Sequence, residues 1–281
     1  MRLPALDERF RAFKHGRRLR RAKEELAARR IAPQPHGLET ELVVSLTSFP
    51  PRFGTLHLTL ACLLRQTVRP DGVLLWIAEA DLPRLPPPVR ALEAEGLEIR
   101  SCEDRRSYKK LLFTLEERPG ATTVTADDDV YYPADWLERL VGAHARSGAA
   151  VVSGRAHRIR RDAAGRPLPY AEWDMNIGAS EAAADVFPTG VSGILYAPGC
   201  FDPRVLDWER ARRLCPTADD VWFHWMYRLA GRTAENLASG TRILEWERDP
   251  AHGLRQVNSG GGNDRAIAAM IAEFGSLGPQ R

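Results

Sequence analysis

The chain has little cysteine and no pairing pattern for what it has. Cys62, Cys102, Cys200 and Cys215 are the four cysteines in 281 residues. They form no CxxC pair and no Cys/His cluster at zinc-ligand spacing, so they read as reduced, mostly buried thiols. No apolar run approaches the roughly 18 residues of a membrane span. No charged start leads into an apolar signal segment either, and the reading that follows is a cytosolic protein. The phosphate-binding signatures GxxxxGK[ST] and GxGxxG are missing after every strand-like segment, which argues against a P-loop enzyme or a dinucleotide dehydrogenase. Internal repeats are also lacking.

What is present is an ordinary globular composition, 44% hydrophobic and 27% charged, in a chain long enough for one large α/β domain. The net charge of +3 hides an asymmetry. Residues 1–30 carry 11 Lys+Arg against 4 Asp+Glu, and the other 251 residues carry 29 against 33. A near-neutral body argues against nucleic-acid binding. The basic front end, with Arg17, Arg18, Arg20, Arg21, Arg29 and Arg30 among sparse apolar residues, suits a helix. That helix either packs on the domain or lies against anionic lipid. The Pro33–Pro35 stretch reads as a linker, giving an extension over 1–36 and a folded domain over 37–281.

From Gly37 onward strand-like and helix-like segments alternate. Strands are expected over Glu41–Thr47, Val73–Ala78, Leu97–Cys102 and Thr122–Ala126. Helices are expected over Gly54–Arg65, Pro88–Gly96, Ser107–Arg118 (capped by Ser107) and Pro133 to about Arg146. That rhythm predicts βαβ units and a mainly parallel α/β sheet. The second half is less regular. Val151–Arg161 reads as one arm of a hairpin turning at Ala164-Gly165, and short strands are expected over Gly193–Ala197 and Thr241–Trp246. Helices follow over Thr217–Ala230 and Asn263–Phe274, each stopped by glycine.

Two acidic clusters carry chemistry. Asp127-Asp128-Asp129 follows directly on the apolar strand, at the sheet edge where ligands of open parallel sheets bind. Aspartates also favour plain turns, but three adjacent carboxylates repel unless a cation sits among them. Mg²⁺ or Mn²⁺ suits such a place, taking one or two carboxylates and filling its shell with diphosphate oxygens and water. The ion would neutralise charge on a departing nucleoside diphosphate. The second cluster is Thr217-Ala-Asp219-Asp220. Thr217 is a candidate cap, and acids in a first turn favour the helix dipole. Yet Trp222, Trp225, Met226 and Leu229 form the expected buried stripe, and Asp220 lies off it. It is therefore placed to face a cleft and act as a general base.

Six motifs in order, Val44–Arg52 (VSLTSFPPR), Glu103-Asp104 with Ser107–Lys110, Thr125–Leu137 (TADDDVYYPADWL), Thr189–Tyr196 (TGVSGILY), Ala218–Phe223 (ADDVWF) and Gly261–Asp264, resemble a group of bacterial glycosyltransferases. These are related to the family 2 type and belong to cell-surface polysaccharide synthesis. The resemblance covers about residues 40–270 and implies the GT-A fold, a mainly parallel sheet with a smaller antiparallel acceptor-side portion. It implies a UDP- or GDP-linked sugar donor and a glycan or lipid-linked acceptor.

Position by position, the resemblance makes Asp129 the metal ligand, with Asp127 or Asp128 near the ribose or metal. Thr47, Ser48 and Arg52 would line the nucleotide pocket, and Asp104 would lie near the base or ribose. Lys109 and Lys110 sit where a cation and free helix amides meet phosphate. Asp220 matches the base of inverting relatives, with Asp219 in reserve. His252, in a late loop, is a candidate for completing the metal shell. Gly190 and Gly193 would admit a loop close to the sugar, and Tyr170, Glu172 and Trp173 are candidates for an acceptor groove, although core packing explains the tryptophan equally well.

Two rivals stand against this reading. A sugar nucleotidyltransferase has a similar sheet but usually opens with a glycine-rich loop, and here Thr47–Arg52 has no glycine until Gly54. A carbohydrate-binding protein without activity would show a broken acidic triplet, and this one is intact.

Overall fold

The computed structural model describes residues 4–237, 243–246 and 261–278, with side chains from residue 13 onward. Twelve strands and eight helices are named among them. The strands are β1 (Gln34–Pro35), β2 (Leu42–Thr47), β3 (Val68–Arg69), β4 (Gly72–Ala78), β5 (Leu97–Cys102), β6 (Thr122–Thr125), β7 (Val151–Ser153), β8 (Ala156–Arg158), β9 (Ser180–Ala183), β10 (Val186–Pro188), β11 (Ile194–Tyr196) and β12 (Ala234–Asn236). The helices are α1 (Pro4–Ala28), α2 (Phe53–Leu64), α3 (Pro87–Arg90), α4 (Lys109–Glu117), α5 (Trp136–Ser147), α6 (Trp208–Leu214), α7 (Asp219–Leu229) and α8 (Asn263–Phe274).

The main sheet has eight strands in the order β5-β4-β2-β6-β11-β7-β12-β9. Strands β5, β4, β2 and β6 are parallel, and β11 runs antiparallel between β6 and β7. The mixed α/β architecture expected from the sequence is the one observed. A second antiparallel pair, β8 with β10, stands apart from the main sheet.

Strands β2 and β4 read as apolar runs because both their faces are covered, while the edge strand β5 is partly exposed. Along β2, Leu42, Val44 and Leu46 enter the core shared with α1, α2 and α5, while Val43 joins Leu74, Trp76 and Cys102 on the other face. Ser45 also points that way, and its hydroxyl meets Thr114 on α4 at 2.8 Å. A second core gathers Tyr108 and Leu112 at the start of α4 with Trp222, Phe223 and Met226 of α7 and Met270 of α8.

The chain runs from β2 outward through β4 to β5, then returns across to β6 on the other side of β2. The order therefore reverses between β2 and β6, and in open α/β sheets the crevice beyond such neighbouring carboxyl ends is the ligand site. The loops that leave these two strands are Ser48–Arg52 and Ala126–Asp129.

Several expectations are corrected. The Pro88–Gly96 helix is a single α turn at Pro87–Arg90 followed by 3-10 structure to Glu95. Two prolines in the first turn and the left-handed Gly96 (φ 101°) leave it no length. Ser107 does not cap α4: a 3-10 turn over Arg106–Tyr108 precedes the helix, and the Ser107 hydroxyl is buried without a partner. The N-cap position of α7 is Ala218, one residue after the expected Thr217. The expected stripe on α7 is nearly the whole circumference, with Val221 through Arg228 all buried among β10, α6, α8 and the 3-10 turn at Pro203–Leu206. The arm Val151–Arg161 breaks at Gly154 into β7 and β8, which belong to different sheets. Of Thr241–Trp246, the described part forms a single antiparallel bridge, Glu245 to Val130. Six elements, β1, β3, β9, β10, β12 and α6, are additional to those expected, and β1 lies in the Pro33–Pro35 stretch read as a linker, where it pairs with β3. The four cysteines are free and buried, as read from their spacing.

Candidate functional site

A cleft of about 2300 Å³ opens over the carboxyl ends of β2 and β6. A drug-sized ligand occupies roughly 300–1,000 Å³, so there is room for two substrates side by side. The lining includes Thr47, Ser48, Arg52, Asp104, Lys109, Lys110, Asp127, Asp128, Asp129, Asp219 and Asp220. Every described residue expected to bind donor, metal or acceptor proton therefore borders one cavity. His252 lies outside the described residues.

The two switch-point loops are tied together across β2 and β6. Ser48 donates its hydroxyl to the Asp128 carboxylate, and Arg52 reaches the same carboxylate at 3.2 Å and also pairs with Asp129. Asp128 is buried, and burial pushes its carboxyl up to about 6 despite the Arg52 charge beside it. These bonds tie the triplet loop to the loop after β2 at a residue that lines the cleft. The backbone after it is clamped: Thr59 on α2 donates to the carbonyls of Asp128 and Val130, and the Trp246 indole donates to the Thr59 hydroxyl at 2.9 Å. The Trp246 amide bonds the Asp129 carbonyl, so residues 243–246 lie along the triplet. The Asp127 amide donates to the buried Tyr132 hydroxyl at 2.9 Å.

Thr47 turns its hydroxyl into the Trp76 carbonyl at 2.8 Å, which makes it a structural group at the cleft wall. Both lysines lie at the start of α4 and line the cleft, each beside a carboxylate. Lys109 pairs with Asp104 at 2.8 Å, and Asp104 also accepts from the Arg106 amide. Lys110 is buried between Asp127 at 3.1 Å and Asp219 at 3.4 Å. Both ammonium groups thus sit against carboxylates at the start of α4. Burial opposes the Lys110 charge, but Asp127, Asp219 and Asp220 outweigh it and hold its pKa well above the usual lysine range.

Asp219 and Asp220 occupy the first turn of α7, and Asp219 is buried while Asp220 is half-exposed to the cleft. Asp220 accepts from the Gly190 amide at 3.3 Å. Burial and the neighbouring Asp219 charge push its carboxyl up to about 7. A Cβ on Gly190 would stand 3.1 Å from Lys110 Nζ and 3.5 Å from carboxylate oxygens of both Asp127 and Asp220. That one contact set places the acidic triplet and the α7 acids around a common point. Gly193, at φ 86°, lies against the Trp136 ring, whose indole donates to the Ser192 carbonyl.

The expected acceptor groove is corrected in part. Tyr170 lines the cleft, but Trp173 is 3% exposed with its indole bonded to the Leu168 carbonyl, and Glu172 does not border the cavity. Instead the second wall uses residues the sequence did not single out. Arg155 bonds the Thr189 hydroxyl and Asn176, and His157 accepts from the Asn176 amide, with its imidazole lowered to about 4 chiefly by burial. Nothing in the Gly154–Arg158 stretch marks it, since it becomes a wall only when β8 pairs with β10.

The donor set at the triplet is all oxygen, which suits a hard divalent ion. Among the described residues no three His, Cys, Asp or Glu side chains converge as a metal cage. Such an ion would therefore take one or two carboxylates, from Asp127 and Asp129, and complete its shell with phosphate oxygens and water, which is the usual arrangement for Mg²⁺.

No protein-family model matches the chain, and no curated protein does. Among solved structures, S. aureus TarS 1-349 in complex with UDP-GlcNAc is similar at a TM-score of 0.51 and 13% identity, over 75% of this chain and 60% of that one. A second structure of S. aureus TarS 1-349 (12% identity, 83% and 72% covered) and one in complex with UDP (11%, 82% and 65%) give TM-scores of 0.49 and 0.48. The match with the UDP-GlcNAc complex thus spans about 60% of that chain's length, and what the two proteins share is the mixed α/β fold.

Proposed function

We propose that this chain is a glycosyltransferase. It moves a sugar from a nucleoside-diphosphate sugar, UDP- or GDP-linked, to a hydroxyl of a glycan or lipid-linked acceptor, with inversion at the anomeric carbon. The observation that carries the reading is the meeting of Asp127, Lys110 and Asp220 around Gly190 in one cleft at the switch point of the sheet. The similar fold of a protein solved with UDP-GlcNAc supports the donor class.

Bound Mn²⁺ or Mg²⁺, held by Asp129 and Asp127, would supply electrostatic neutralisation of the leaving diphosphate. The chain's own groups do the rest. Arg52 fixes Asp128 and orients the triplet, and Lys110 adds a buried positive charge beside Asp127. Asp220 takes the proton of the attacking acceptor hydroxyl; a base poised near neutral pH combines the ionised form with useful basicity. The Gly190 amide orients that carboxylate. Asp219, buried against Lys110, positions it.

The test is UDP release from UDP-GlcNAc, and GDP release from a GDP-sugar panel, with Mn²⁺ or Mg²⁺ and with Asp220→Asn as control. Nucleoside diphosphate released by the wild type and lost in the variant supports the reading. Pyrophosphate release from a nucleoside triphosphate with a sugar phosphate would replace it with nucleotidyl transfer. Sugar binding without turnover of any donor would leave a binding protein.

A further inference from the structure

The extension over residues 4–28 is a helix with two opposite faces. Leu19, Ala22, Leu26 and Arg29 recur at spacings of three and four and are buried against the body. Arg29 completes the anchor, donating to the carbonyls of Cys62, Arg65 and Tyr132 and pairing with Glu25. The helix is therefore fixed in orientation rather than tethered.

The face turned away from that stripe carries Phe13, Arg17 and Arg20, again at spacings of four and three. All three are exposed, and Phe13 at 63% is the most exposed large apolar side chain among the described residues. Residues 14–23 hold six Lys+Arg and no acid. Arg18 and Arg21 lie on the flank and line the cleft mouth together with Arg139 and Arg146 of α5. From residue 13 to 23 the outside of α1 is a cationic surface with one apolar residue standing out of it; the exposed Glu24 closes it, and Glu25 and Glu138 share the cleft rim with the arginines. No described helix is long and apolar enough to cross a membrane.

We propose that the outward face of α1 docks on an anionic bilayer surface and sets the cleft mouth beside it. Charge complementarity selects the partner. Clustered Lys/Arg gain from anionic headgroups only within about a Debye length, ~8 Å at physiological salt, and an inserted aromatic supplies the second, apolar signal that stable peripheral binding needs. Helix α1 is short of apolar outward residues, so the attachment is electrostatic and reversible.

The test uses the full chain and co-sedimentation with phosphatidylcholine vesicles with and without phosphatidylglycerol. Wild type is expected to sediment only with the anionic vesicles and to be released at about 0.5 M salt, where screening is strong. Arg17→Glu with Arg20→Glu is expected to weaken binding by about thirtyfold or more, and Phe13→Ala several-fold. Neither side chain lines the cleft, so nucleoside-diphosphate release in vesicle-free solution should match wild type. Equal binding to neutral vesicles, or binding unchanged by the charge reversal, overturns the proposal. So does capture of soluble polyphosphate without any vesicle binding, or self-association of the wild type that the reversal abolishes. Docking that behaves as expected in a chain that turns over no donor supports this proposal and counts only against the transferase reading.

Discussion

Lys110 and Asp219 form a buried ion pair at 3.4 Å that joins the start of α4 to the first turn of α7. Through Asp127, on the same ammonium at 3.1 Å, the pair also reaches the strand end that carries the acidic triplet. Two halves of the chain are locked together at the point where the chemistry is proposed.

That lock has a stability consequence. Lys110→Met removes the cation and leaves the carboxylates of Asp127, Asp219 and Asp220 facing one another in a buried place. Breaking one partner out of a buried pair costs about 3–5 kcal/mol. A lowered urea midpoint at unchanged slope is the expected result. The double variant Lys110→Met with Asp219→Asn should recover part of the loss, and a double variant no better than the single would show that the pair is not the source.

The pH dependence of the same site follows from Asp220. Its carboxyl, held at about 7 by burial and by Asp219, stays protonated in the folded chain over a range where the unfolded chain has released the proton. The native state therefore binds more protons, and stability falls as pH rises. The contribution is complete below about pH 4 and is lost as pH rises through about 7. Asp220→Asn should flatten this part of the profile and raise Tm at pH 8. Activity runs the other way. If Asp220 is the base, log kcat/KM rises with unit slope up to about 7 and then levels, and the Asn variant loses about 10²–10⁴-fold. Thermal melts and turnover across pH 5–9, followed in parallel, measure both signs; a variant that keeps wild-type turnover would remove Asp220 from the mechanism.

The metal expectation is separable from the base. Asp129→Asn keeps size and the contact to Arg52 while removing one charge from the proposed ion site. Chelation should abolish wild-type turnover and added Mn²⁺ or Mg²⁺ should restore it, with the variant needing much higher metal for the same rate. Nucleoside-diphosphate release that proceeds at full rate in excess chelator would sink the metal role.

How far this site could be read beforehand depended on range. The parallel half was legible because its central strands bury both faces and read as apolar runs such as VLLWIA, spaced by helix-like segments. Asp127–Asp129 was legible because three carboxylates at a strand end have no cheap structural use. The partners of Lys109 and Lys110 were not. Those partners include Asp104 and Asp219, and only folding brings Asp219 near. Strands β9, β10 and β12 escaped notice because each is three or four residues long, too short for a period of two to show. Helix α7 disguised its environment: nearly every residue is buried, so no stripe existed to be found.

The two glycines of the Thr189–Tyr196 loop should answer differently to the same substitution. Gly193 sits at φ 86°, where a side chain costs about 1–2 kcal/mol, and its Cβ would fall 2.4 Å from the Trp136 ring. Overpacking of that kind adds about 1–3 kcal/mol. Gly193→Ala is therefore a folding defect, visible as a lower Tm with donor binding intact in the folded fraction. Gly190 has no such backbone demand. Its added methyl would press Lys110 Nζ at 3.1 Å and sit between Asp127 and Asp220, at the point proposed for the donor sugar. Gly190→Ala should melt close to wild type and lose turnover, and Gly190→Val should lose it almost entirely. Equal Tm losses for the two alanine variants would mean that Gly190 serves packing, and the close approach proposed for the donor sugar would lose its structural basis.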